Sequence, residues 1–241
     1  MHLVFERKCS YYKMRSTIAA LRAFFRFVLH HSEARILELI PSLNTPRKCP
    51  EIYTPEEIEL MLCVKGLRIH HRTMLMTLYA AGLRVQEVCQ LKVSDIRSSR
   101  MQIRVEQNGD QKERYTPLSP ELLKILRCYW RIFRPSSWLF ATRNHPDRPL
   151  HSQSLDRTFH RAIKLAGLPD RGGVAALRHS FAVHSLELGV DLATLQCFLG
   201  HQWIVSTATY VHLMRTGLSG IKNPLGLLQT RITSSEGEVA V

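Results

Sequence analysis

Apolar residues recur at helical spacing along most of the chain, which predicts a mainly helical protein. Residues 14–31, "MRSTIAALRAFFRFVLHH", put Ile18, Leu21, Phe25 and Val28 on one stripe, with Arg22 and Arg26 elsewhere and Ser16 as a candidate N-cap. Thr54 caps the next helix, with Pro55 in its first turn and Glu56 and Glu57 suited to its positive end. A helix over about 70–81 stops at Gly82, and "RVQEVCQL" follows as a shorter one. Ser119-Pro120 opens a helix to about Phe133, and residues 152–166 form another. Helices at about 175–188 and 192–199 flank Gly189, with Asp191 capping the second. "GLSGIKNPLGLL" predicts a short terminal helix carrying Leu218, Ile221, Leu225 and Leu228, and "TSSEGEVAV" a frayed tail.

The period changes once. "MQIRVEQNGDQKERYTPL" alternates in two runs around Asn108-Gly109-Asp110, which predicts a β-hairpin. Helical periodicity is also interrupted by Pro41, Pro46, Pro50 and Pro55, with Arg47 and Lys48 between them. Such a stretch reads as a semi-extended basic linker. It divides the chain into a small helical part, 1–45, a linker, 46–55, and a larger part, 56–241.

Composition adds a partner class. The 241 residues are 45% hydrophobic, enough for a globular core, and carry a formal net charge of +13. The excess is spread along the chain, so the whole surface, not a short tail, points to a polyanion. The six cysteines, 9, 49, 63, 89, 128 and 197, lack paired CxxC spacing and read as reduced core residues of an intracellular protein. "MHLVFERKCS" turns charged too soon for a secretory signal, and no apolar run reaches the roughly 18 residues of a membrane span.

Three stretches carry candidate chemistry. "AAGLRVQEVCQL" sets Arg84 just after a glycine break, with Glu87 one turn on. "VAALRHSFAVH" sets Arg178 on the inward side of a half-apolar helix. "LGHQWIVSTATYVHL" places His201 after Gly200 and Tyr210 nine residues later. The segment "FAVHSLELGVDLATLQCFLG" also admits a helix-turn-helix reading, but its second helix has only Thr194 and Gln196 as polar residues and is expected to be buried. A zinc module from Cys197, His201, His179 and His184 lacks a second pair at ligand spacing.

Taken together, "YAAGLRVQEVCQLKVSDI", "LRHSFAVHSLELGVDLATLQCFLGH" and "STATYVHL" resemble the tyrosine site-specific recombinases, the lambda-type integrase family, closest to integron- and transposon-type integrases and Xer recombinases. The resemblance runs from about residue 14 to 228. It implies a mainly α fold with a small antiparallel sheet. A shortened helical core-binding domain would occupy 1–45 and a catalytic domain 56–241. The family's first domain is longer, so a truncated or degenerate amino-terminal part is expected. The implied partner is double-stranded DNA, held by a homotetramer in the cytoplasm, with no cofactor, metal or membrane.

The resemblance also assigns roles. Arg84 and Arg178 would clamp the non-bridging oxygens of a scissile phosphate, because guanidinium offers paired donors and keeps its proton. His201 would add a donor and Tyr210 would attack, giving a 3′-phosphotyrosyl enzyme. Glu87 either orients Arg84 or is an ordinary surface carboxylate. Two family positions depart. A histidine expected three residues before the second arginine is Ala175, and a hairpin lysine is replaced by Gly109, or by Asn108 if the turn slips. Lys112 is the nearest substitute for the lysine. His179 is turned about 100° from Arg178 on a helix and is not counted as a replacement for the missing histidine, and His184 is expected in the core or at the surface. These departures leave open a DNA-binding remnant with impaired cleavage.

Overall fold

The computed structural model describes residues 11–40, 49–106, 113–142 and 145–214. The hairpin turn with Asn108, Gly109 and Lys112, and the segment with Leu218 to Leu228, lie outside them. The chain divides into two units, Met1–Cys49 and Pro50–Val241.

The first unit contains α1 (Tyr11–Phe27) and α2 (Glu33–Leu39). Ser32 caps α2 by accepting from the Arg35 amide. Arg22 of α1 donates through Nε and Nη2 to the Ile40 carbonyl, satisfying a group that the end of α2 leaves open. Two expectations change. α1 already includes Tyr11, so Ser16 is an interior residue and caps nothing. The stripe is only partly covered: Ile18 and Phe25 are half-buried, whereas Leu21 and Val28 are exposed.

The second unit is built around α4 (Ile69–Ala81), which packs against α3 (Pro55–Cys63), α5 (Val85–Cys89), α6 (Pro120–Phe133), α7 (Ser152–Ala166) and α8 (Ala175–Glu187). Met74, Leu75, Leu78 and Ala81 are buried, and so are Thr73 and Thr77. Those hydroxyls are satisfied within the helix, donating to the carbonyls of Ile69 and Thr73. α3 opens with a full capping box between Thr54 and Glu57, with Pro55 beside it. Tyr53, wholly buried, ties this entry to the core: its amide donates to Ser180 Oγ and its hydroxyl to the Pro169 carbonyl.

Three short antiparallel strands, β1 (Ile96–Arg97), β2 (Gln102–Val105) and β3 (Arg114–Pro117), form a sheet in that order. β2 and β3 are the two arms of the expected hairpin, with Ile103 opposite Thr116 and Val105 opposite Arg114. The Thr116 hydroxyl donates to the Ala81 carbonyl at 2.6 Å, pinning the sheet to the end of α4. A second ribbon, β4 (Ala141–Thr142) with β5 (His145–Pro149), was not expected, because Pro146 and Pro149 argue against a strand in the sequence. A two-stranded ribbon has free edges and tolerates them. The chain is thus mainly helical with small antiparallel sheets.

α9 (Leu192–Leu199) and α10 (Ile204–Ala208) complete the unit, followed by a 3₁₀ turn at Val211–Leu213. Burial of α9 is narrower than expected. Only Leu195 and Leu199 are buried, because β3, α8 and α10 cover one face. The cysteine expectation is also corrected. Cys89 is buried, but the free thiols Cys49, Cys63, Cys128 and Cys197 are exposed at helix ends or outer helix faces and in the segment before α3.

Candidate active site

The site starts at the stop of α4. Gly82 adopts φ 59°, a left-handed conformation that suits glycine. A Cβ here would also lie 2.3 Å from the Phe181 ring of α8. The close approach lets the Gly82 carbonyl accept from Arg178 Nη1 at 2.8 Å. Two residues later the chain reaches Arg84, the N-cap of α5.

Arg178 is buried, on the inner side of α8. Its Nη2 donates to the Leu199 carbonyl at 2.6 Å and contacts His201 Nε2 at 3.3 Å. Arg84, 44% exposed, sits at the lip, and its Nη2 donates to the Gly200 carbonyl at 3.0 Å. A third guanidinium, Arg114 of β3, is buried and donates through Nε to the Phe198 carbonyl at 2.9 Å. Three successive carbonyls at the end of α9 therefore hold three arginines. These are the acceptors a helix C-terminus leaves without intrahelical partners, at the negative end of its dipole.

Glu87 links the same three. It receives a two-pronged bond from Arg114 at 2.6 and 2.7 Å, and bonds from the Arg84 amide and Arg84 Nη1. Arg178 Nη1 stands 3.8 Å away. Burial pushes the Glu87 carboxyl up, but the Arg114 fork and the Arg84 amide outweigh it, leaving its pKa below the ordinary value. The carboxylate is no surface residue; it orients two arginines. Three guanidiniums against one carboxylate leave a net positive pocket suited to an anion. Burial, then repulsion from Arg84, lowers Arg178 to about 10, so it remains charged at neutral pH.

His201 follows the left-handed cap Gly200. Arg178 has only donors, so Nε2 of His201 accepts from it, which places the proton on Nδ1 facing Thr207 Oγ1 at 2.9 Å. Burial and then the charge of Arg178 push His201 down to about 4. An anion between Arg178 and His201 would reverse that pressure and favour a protonated donor at Nε2. Tyr210, 4% exposed, stacks on the His201 ring with centroids 6.3 Å apart. Burial raises its phenol, while Arg178 and Arg84 oppose the rise.

Arg84, Arg178, His201, Tyr210 and Glu87 thus come together from separate segments. Ala175 is the exposed first residue of α8. Gly109 and Lys112 lie outside the described residues. Sequence reasoning missed Arg114; its signal is an arginine at the inward register of β3, sharing a face with buried Thr116. It also set His179 aside. In the structure His179 Nδ1 stands 2.8 Å from the Tyr210 hydroxyl. On α8 it points about 100° away from Arg178, and Tyr210 reaches it from another segment packed across that helix. His184 is buried, and its Nδ1 pairs with the Tyr79 hydroxyl at 2.8 Å.

Three arginines and a buried tyrosine thus line one pocket suited to an anion, on a helical fold with small sheets. Comparison with known families matches residues 52–216 to the Phage integrase family. The protein named putative integrase/recombinase y4qK, from Sinorhizobium fredii, is 40% identical over 95% of this chain and 73% of its own length. Tyrosine recombinase XerA of Thermococcus onnurineus is 33% identical over 80% of this chain and 68% of its own. In fold, a crystal structure of the XerH site-specific recombinase bound to its palindromic difH substrate is similar, with TM-score 0.73 and 21% identity, covering 97% of this chain and 70% of that one. The chain belongs to the phage integrase family of tyrosine recombinases, which are DNA strand transferases. Among the described residues no helix is long and apolar enough to cross a membrane.

Proposed function

We propose that this protein is a site-specific DNA recombinase that cuts and rejoins strands through a 3′-phosphotyrosyl intermediate on Tyr210. The observation that carries the reading is the convergence of Arg84, Arg178 and His201 beside Tyr210, with Arg178 fixed by two carbonyls and Arg84 by Glu87 and the Gly200 carbonyl. Arg84 and Arg178 bind the non-bridging oxygens, and His201 donates alongside them. Donors fixed beforehand where charge develops are usually the largest catalytic contribution, and loss of one costs about 10²–10³ in rate. Glu87 and Arg114 hold the clamp in place. The phosphodiester energy is kept in the tyrosyl ester, so rejoining consumes no nucleotide.

The partner is double-stranded DNA, consistent with the net charge of +13 and with the palindromic difH substrate bound in the XerH structure. Four copies acting on paired sites fit strand exchange, and the part before the proline-rich segment, 1–45, serves as a DNA-gripping domain ahead of a catalytic domain, 56–241. The protein acts inside the cell, on DNA.

Ala175 favours a second reading, a remnant that retains DNA but cleaves it poorly, because alanine offers no hydrogen-bonding group where the family resemblance leads one to expect histidine. One assay separates the two. Nicked suicide duplexes tiled across the DNA that flanks the coding region are incubated with the protein and resolved on a denaturing gel. A covalent adduct that disappears in Tyr210→Phe supports the recombinase. Duplex retention without adduct, unchanged in Tyr210→Phe, supports the remnant.

A further inference from the structure

We propose that His179 is the general base of the cleavage step, taking the phenolic proton of Tyr210 on Nδ1. The inference rests on Tyr210 being the nucleophile and adds a residue to that reading. Three observations carry it. Nδ1 of His179 lies 2.8 Å from the Tyr210 hydroxyl, within hydrogen-bond reach of the reacting atom. Among the described hydrogen bonds it is the one made by that hydroxyl, and Tyr210 is 4% exposed. Residue 179 also follows Ala175 by four positions on α8. Positions four apart share a helix face, one turn along. Where the resemblance leads one to expect a histidine at 175, the chain offers one at 179 on the same face, and Tyr210, at the entry to the 3₁₀ turn, lies against it.

The step balances. A lone pair of the Tyr210 oxygen forms the O–P bond, and the phenolic proton passes to Nδ1, giving an imidazolium. The P–O5′ bond breaks, and the 5′-oxygen leaves as a hydroxyl with a proton from water, the hydroxide passing to solvent. The product diester keeps its single negative charge. On rejoining, the 5′-hydroxyl gives its proton to water and attacks, the tyrosyl oxygen leaves, and His179 returns the phenolic proton to it.

The surroundings suit a neutral base at rest. Burial and then Arg178 lower the His179 imidazole below its usual range. The other groups facing it are Tyr210, the N-cap of the 3₁₀ turn, and His201 after α9, while Tyr79 of α4 pairs with His184 instead. A phosphate bound to Arg178 and Arg84 offsets their charge and strengthens the base when it is needed.

His179→Asn keeps an acceptor near the Nδ1 position but cannot take a proton. With any flanking duplex that gives wild-type adduct, the variant forms it about 10²–10⁴-fold more slowly, and the decline of the wild-type rate on acidification below the usual imidazole range vanishes. A variant with wild-type rate and an unchanged acidic limb overturns the proposal while leaving Tyr210 as nucleophile. A second measurement needs neither DNA nor a variant of α8. In ¹⁵N-histidine spectra at neutral pH, Nδ1 of His179 is unprotonated and shifts in Tyr210→Phe. A protonated Nδ1 overturns the proposal whatever the adduct assay shows. Absence of wild-type adduct from every duplex, with Nδ1 unprotonated, instead defeats the strand-transfer reading and the proposal with it.

Discussion

At the residue scale, the site is organised by acceptors. Arg178 is held by the Gly82 and Leu199 carbonyls, Arg84 by Gly200 and Glu87, and Arg114 by Phe198 and Glu87. A lysine has one ammonium and cannot satisfy two carbonyls in that geometry and clamp a phosphate as well. Arg178→Lys is therefore expected to lower the rate of adduct formation about 10²–10³-fold in single-turnover assays, with DNA retention largely kept. Arg114→Met leaves Glu87 buried without its two-pronged partner, and breaking such a pair costs about 3–5 kcal/mol, measurable as a lower urea midpoint. The arginines at 84 and 178 were legible in the sequence because their motifs are distinctive. Arg114 and His179 were not, because their importance lies in contacts 27 and 31 residues away along the chain.

At the element scale, helix ends do the positioning. Thr54, Ser119, Asp191 and the stops at Gly82, Gly167 and Gly200 fix where helices begin and end. Those signals are local, and the sequence shows the caps at 54, 119 and 191 and the stop at 82 directly. The β4–β5 ribbon was hidden by its prolines, and α10 by a Ser/Thr-rich run that reads as alternating. Gly82 joins element and site, since its backbone conformation, its contact with Phe181 and its carbonyl all serve Arg178. Gly82→Ala is expected to lose about 1–2 kcal/mol from the left-handed backbone alone, more from displacing Phe181, and to slow adduct formation as well. Urea unfolding and adduct kinetics on the same sample check both.

At the scale of the molecule, charge and acid sensitivity follow from the same groups. His70 and His201 are both pushed down to about 4, burial being the main cause in each. A group whose folded-state pKa is depressed binds protons more readily when unfolded. Their contribution to stability is present above pH 6.5 and is lost as the pH falls from there towards 4. The thermal midpoint is expected to drop steadily between pH 6.5 and 4.5 in calorimetric scans; a flat midpoint would contradict burial of the two imidazoles in neutral form. The excess of 33 Lys and Arg over 20 Asp and Glu makes DNA binding steeply salt-dependent, with log affinity falling linearly against log salt.

The central claim is that Tyr210 joins covalently to the 3′ side of a broken DNA strand. The most direct test traps the adduct on a nicked duplex, digests the DNA with nuclease and the protein with protease, and reads the modified peptide by mass spectrometry. The expected product is a nucleotide attached through its 3′-phosphate to the peptide containing Tyr210, with a free 5′-hydroxyl on the released strand. A nucleotide on another residue, or one attached through a 5′-phosphate, would contradict it.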